Sequence, residues 1–280
     1  MEPRKRDSFA YKTLIYVILI GMSVFAIYPI LRVFSISLRP EGALLSTSLA
    51  LIPDNASLIN YVKLFTEKPF MTWMLNSAYV ALVVTVVGVG LASTAGYAFS
   101  RYNFPGRKTG MTAILTTQMF PVTMLLLPMF IILVELNLYN SFIGLIIAYS
   151  ATALPFCIWQ MKGYYDTIPF SLEEAARIDG ASQFQTFYKI ILPLASPALV
   201  ITALFSFMSA WSEYLVAAVI LTKQDLYTLP IGLKQFQANL AADWGLYASG
   251  ALIMSIPVVV LFMILTKWLV SGLTLGSVKG

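Results

Sequence analysis

The sequence predicts an all-α integral membrane protein with six transmembrane helices and both termini in the cytoplasm. Three observations predict it. Apolar residues make up 59% of the 280-residue chain, and charged residues only 11%. Six windows without a charged side chain meet or nearly meet the roughly 20 residues needed to cross a bilayer. The 18 Lys and Arg residues also divide unevenly between the two sides that alternating spans define.

The windows are Thr13–Leu31, Pro69–Ser100, Thr109–Val134, Leu136–Met161, Ile190–Ser212 and Trp244–Thr266. The first follows the basic segment MEPRKRDSFAYK, as a cleaved signal peptide would. Its apolar stretch is longer than a signal core and no A-x-A-like site follows, so it reads as a retained span. With the N-terminus inside, twelve Lys and Arg residues lie on the inner side and six on the outer. This gives an N-terminal tail at 1–12, a first span at 13–31 and an extracytoplasmic loop at 32–69. A five-helix transport domain follows at 70–268, with an inner loop at 162–189 and an outer loop at 213–243, before a cytoplasmic tail at 269–280. The net charge of +5 thus has a membrane explanation, and no nucleic-acid partner is expected.

Within the second span, Gly88, Ala92 and Gly96 form small-xxx-small pairs that let helices approach closely, within the chain or at a subunit interface. Pro121, Pro128, Pro155, Pro193, Pro197 and Pro257 fall in later spans. Each removes a helical hydrogen bond, so kinked helices are expected around a pathway or within a structural bundle. Cys157 is the single cysteine and reads as a small packing residue.

The segment 171–193, SLEEAARIDGASQFQTFYKIILP, is the polar exception. Ser171 and Glu174 have capping-box spacing, and Glu173 and Glu174 suit the positive end of a helix dipole. Leu172, Ala175, Ala176 and Asp179 follow helical spacing as a small-residue face. Gly180 is placed to end the helix, and Ser182 with Gln185 to start another. Two helical turns are marginal alone and need a groove to hold them. The alternative is a helix lying on headgroups, which the acidic residues and an anionic inner leaflet disfavour.

No G-x-x-x-x-G-K-[ST] phosphate loop is present, so ATP hydrolysis would have to come from another chain. Without His and with one Cys, no catalytic triad or transition-metal cluster is expected, and the chain reads as a non-enzymatic subunit that binds no cofactor itself. Groups that lipid rejects are candidate pathway residues: Asn76, Gln118, Trp211 and Glu213, with Tyr149 and Trp159. Amides and aromatic faces suit a sugar. Asn76, Trp159 and Trp211 fit a wet membrane interface equally well, and Glu213 either a solvated boundary or an outer gate.

Glu174-Ala175-Ala176, three residues, Gly180, nine residues, then Ile190-x-Leu192-Pro193 meets every position of the EAA-x3-G-x9-I-x-LP signature. The chain thereby resembles binding-protein-dependent ABC importer permeases. GYAFSRYNFPGR at 96–107, QMFP at 118–121, YTLPIGL at 227–233 and WLVSGLTLGSVKG at 268–280 are similar to the carbohydrate-uptake type, above all the smaller maltose/maltodextrin permease subunits.

The resemblance implies a type I importer fold in a bacterial cytoplasmic membrane. It implies a second permease subunit, an ATPase dimer carrying ATP and Mg, and an extracytoplasmic sugar-binding protein. Glu173, Glu174, Ala175, Ala176, Asp179 and Gly180 would form the ATPase-coupling helix, and Ser277, Val278, Lys279 and Gly280 a tail reaching between the ATPase subunits. Gln235, Gln237 and Asn239 would be the polar tip of a loop probing the binding protein.

Two rival classes meet the same windows. An ion-driven secondary transporter usually needs an ionisable relay within its spans, and almost none is offered here. A membrane scaffold would assemble without solute flux. Among importer substrates, trehalose and galactosides stand beside maltodextrin.

Overall fold

The computed structural model describes residues 9–40, 50–237 and 242–275, and these are helical with connecting turns. By contact density the chain forms two compact units, Met1–Phe70 with Leu233–Ser255, and Met71–Gly232 with Ile256–Gly280.

In the first unit, α1 (Phe9–Ser37) is longer than the 13–31 window at both ends. Among the described residues, its apolar side chains Met22, Val24 and Phe25 are all exposed. Within the segment expected as a loop at 32–69, a helix α2 (Ile59–Thr66) forms. Asn60 explains the placement of α2. Its buried amide donates to the carbonyls of Ser37 and Arg39, at 2.9 and 2.8 Å, and so satisfies acceptors at the open end of α1.

The second unit is built on α3 (Phe70–Arg101), α6 (Phe142–Tyr165) and α10 (Ser196–Ser212). Ala92, Tyr97, Cys157, Met161, Tyr165 and Ile191 share one buried cluster. The small residues of α3 pack within the chain. A β-carbon at Gly88 would meet Ser206 Oγ at 3.1 Å, and one at Gly96 would meet Met161 Cβ at 2.8 Å. Cys157 is buried and unpaired, as a packing residue should be.

Among the described residues, four helices are long and apolar enough to cross a membrane, and up to six spans result if two bent pairs each count as one. The first pair is α4 (Arg107–Thr117) and α5 (Val122–Glu135), bent by 102°. Here the window Thr109–Val134, expected as one kinked span, is broken outright. Pro121 supplies no N–H and disfavours helical geometry at Phe120, so α4 cannot continue.

The second pair is Gln183–Leu194 and α10, bent by 75°. It contains α8 (Gln183–Thr186), a π-helical turn over Phe187–Ile191 and α9 (Leu192–Leu194). A wider turn just before Pro193 accommodates the proline that interrupts the ordinary ladder. Pro128, Pro155 and Pro257 instead lie inside continuous helices, the last in α13 (Trp244–Leu275).

Candidate functional site

The polar segment after α6 forms α7, Ser171–Ile178. Its start differs from the expected capping box. Phe170 already has helical geometry, and its carbonyl accepts from the amides of Glu173 and Glu174. Ser171 therefore lies inside the first turn and caps nothing. The end follows the expectation. Gly180 has φ +83°, its amide donates to Arg177 O, and the Ala181 amide donates to Ala176 O. These two bonds close a Schellman motif that glycine enters without steric cost. Ser182 and Gln185 then form a complete capping box for α8.

The face of α7 divides differently from its sequence pattern. Glu173 and Ala176 are buried, whereas Leu172, Glu174, Ala175, Ile178, Asp179 and Gly180 are exposed. Ile178 is an apolar side chain that is 87% exposed among the described residues.

Beneath the helix lies a polar network that sequence reasoning missed. One Glu173 carboxylate oxygen accepts from Tyr97 OH at 2.9 Å, and the other is ion-paired with Arg101 Nε. Arg101 also donates to Ser100 Oγ and to Ile168 O, and its guanidinium lies 4.4 Å from the centroid of the Phe170 ring. Ser100 donates to Asp166, which is paired with Lys162 one turn back along α6. The available signal was a charge ending an apolar helix within GYAFSR, four residues after a tyrosine. Its partner lies 72 residues away in sequence, so no local pattern joins them.

The candidate pathway residues separate by location. Gln118 sits at the break between α4 and α5, and its amide donates to Thr152 O at 3.2 Å. With Thr152, Phe156, Phe205, Ser206 and Ser209 it lines a cavity of about 230 Å³. Asn76 is elsewhere, donating to the carbonyls of Asp225 and Tyr227 and so holding the outer loop on α3. Trp211 is buried and stacks on Phe207 at 5.5 Å between centroids. Glu213 accepts from the amides of Val216 and Ala217, capping α11 (Leu215–Ile220). Tyr149 donates to the Glu213 carbonyl at 3.3 Å, and Trp159 is half exposed.

Of the outer-loop residues, Gln235 ends α12 (Leu229–Gln235) and Gln237 accepts from Lys234 Nζ at 2.7 Å. Asn239, and Ser277, Val278, Lys279 and Gly280 of the tail, lie outside the described residues. Among the described residues, no three His, Cys, Asp or Glu side chains gather as a metal site.

Residues 86–275, which hold α7 and its anchoring network, match the family model of the binding-protein-dependent transport system inner membrane component. The chain belongs to this family. Similar relatives cover nearly its whole length. The maltodextrin transport system permease protein MalD of Streptococcus pneumoniae is 36% identical over 273 residues, 96% of each chain. The galactooligosaccharides transport system permease protein GanQ of Bacillus subtilis is 37% identical over 269 residues, 95% of this chain and 94% of GanQ. In structure, a chain of a bacterial ABC transporter that imports the acidic polysaccharide alginate superposes with TM-score 0.81 at 25% identity. That match covers 96% of this chain and 99% of the other. Family membership places the protein in an inner membrane and gives it the importer permease fold.

Proposed function

We propose that this chain is the permease subunit of an ATP-driven sugar importer, with α7 as the element on which an ATPase acts. The observation that carries this reading is the two-sidedness of α7. Glu173 and Ala176 face inward and are held there, while Glu174, Ala175 and Ile178 are presented outward on a helix too short to be stable without support. An exposed Ile178 beside a small alanine suits insertion into an apolar cleft, and Glu174 suits a basic rim.

Family membership supplies the context for a binding protein and a second permease subunit. The chain itself hydrolyses nothing in this reading, and ATP and Mg belong to the ATPase pair. ATP binding would close that pair and displace α7. The bent helices would then exchange between inward- and outward-facing packings, an equilibrium biased by differential affinity. The tail at 277–280 would contact the ATPases, and the loop bearing Gln235, Gln237 and Asn239 would meet the binding protein.

The cargo is an oligosaccharide, with maltodextrin favoured by the similarity to MalD and galactooligosaccharide the nearest competitor by the similarity to GanQ. Gln118, on the wall of the 230 Å³ cavity beside Phe156 and Phe205, offers an amide and aromatic faces to a sugar. That volume is smaller than typical drug-sized pockets, so it would hold part of a chain and not a whole oligosaccharide.

Reconstitution tests the reading. Proteoliposomes containing the complete complex and binding protein are expected to accumulate labelled maltotriose only with ATP. Uptake driven by an ion gradient without the ATPases would establish a secondary transporter instead. Assembly without flux of maltotriose, galactobiose or trehalose would establish a scaffold.

A further inference from the structure

The outward face of α7 explains where force would enter, and its inward face shows where that force would go. We propose that Arg101, acting with Tyr97, is a positioning residue that makes α7 and the adjoining ends of α3 and α6 move as one body. This rests on the reading of α7 as the ATPase contact.

Three features carry the inference. First, both oxygens of Glu173 end on α3, one at Tyr97 and one at Arg101, which are one helical turn apart. A single contact would act as a pivot. Two contacts spaced along a helix fix the direction of α7 as well as its distance.

Second, each of the three nitrogens of the Arg101 guanidinium has a partner. Nε pairs with Glu173, Nη1 donates to Ser100 Oγ at 3.2 Å and Nη2 to Ile168 O at 2.9 Å, with the Phe170 ring against its plane. The Arg101 and Glu173 side chains are each 3% exposed. Lysine keeps the charge but cannot supply this fork and stacking plane together.

Third, the base of the lever is stiff. Gly96 brings α3 against the backbone of α6 at Met161 and Lys162, and Ser100 Oγ donates to Asp166 at 2.7 Å. A packed apolar surface could hold α7 equally firmly yet slide under load. A buried ion pair cannot slide without leaving a charge uncompensated.

The test uses the complete transporter, with transport per ATP hydrolysed as the readout. A purely structural role would lower the yield of complex without moving that ratio. Arg101→Lys is expected to retain ATPase binding and hydrolysis while transport per ATP falls on the order of tenfold. Glu173→Gln, which leaves the buried Arg101 charge without its counter-ion, should fall at least as far. Wild-type ratios in both variants would overturn the proposal.

If neither variant assembles, Tyr97→Phe carries the test, since it keeps the ring and removes one of the two attachments. An unchanged ratio there counts against the proposal equally. Glu174→Arg separates the underlying reading: lower ATPase affinity supports α7 as the contact. Unchanged affinity overturns that reading, whatever the Arg101 variants do.

Discussion

Gly96→Ala is the perturbation whose consequence the structure specifies most closely. The added methyl would lie 2.8 Å from Met161 Cβ, 3.0 Å from the Lys162 backbone nitrogen and 3.2 Å from Ile158 O. Ordinary carbon contacts lie at about 3.5–4.0 Å, so α3 and α6 would have to separate by roughly 1 Å. None of the three atoms can rotate away, because two belong to the backbone and the third is attached to it. Overpacking of this kind costs about 1–3 kcal/mol. Alanine also gains about 1 kcal/mol over glycine in a helix, so a matched control is needed. Gly90→Ala provides it, since a β-carbon there meets nothing within 4 Å. The propensity gain cancels between the two variants and leaves a difference of about 1–3 kcal/mol from the clash alone. SDS titration of the purified permease in detergent, followed by circular dichroism, measures that difference. Equal midpoints for the two variants would refute the close packing of α3 on α6.

Other substitutions probe the remaining joints. Gly180→Ala meets no atom within 4 Å, so its cost is the left-handed backbone alone, about 1–2 kcal/mol. Hydrogen exchange of the last α7 amides should quicken about 5- to 30-fold, and Gly180→Asn should lose less. Asn60→Ala strips two carbonyls of their buried donor and should destabilise α2 by about 1–3 kcal/mol, read as lost exchange protection over Ile59–Thr66. Glu213→Ala removes the acceptor for Val216 and Ala217 and should fray α11 by about 1 kcal/mol, while Glu213→Gln retains most of the cap. Gln118→Ala should lower sugar uptake without changing ATPase binding, since the residue lines the cavity and lies in a segment remote in sequence from α7.

What was legible in the sequence was what depends on local spacing. Charge-free length marks the spans, and Gly180 and the Ser182–Gln185 pair mark helix ends through bonds only a few residues long. Pro121 and Pro193 announced irregular helices, but their size was not legible. Whether a proline leaves the helix continuous, as at Pro155, or accompanies a 102° break depends on neighbours that hold the freed backbone. Ser171 misled because Pro169 and Phe170 let the helix begin one residue early.

The anchoring network was illegible for a different reason. Arg101 in isolation is one more charge ending a span, and Glu173 one more acidic residue near a helix start. Their meaning comes only from being brought together and buried. Asn76 and Glu213 show the converse: each is a polar residue that lipid would reject, and each has backbone partners that account for its position. Polarity at a membrane boundary does not by itself separate a pathway from a cap.

The central claim is that α7 is held from within and presents its other face to an ATPase. Single cysteines in a Cys157-free background, placed at Ala175 and Ala176 of the assembled transporter, test it most directly. Ala175 is exposed and its neighbour Ala176 is 5% exposed, so the two differ in direction and hardly in position. Cross-linking to the ATPase from position 175 and not from 176 is the predicted result. Equal cross-linking from both, or none from 175, would contradict the account.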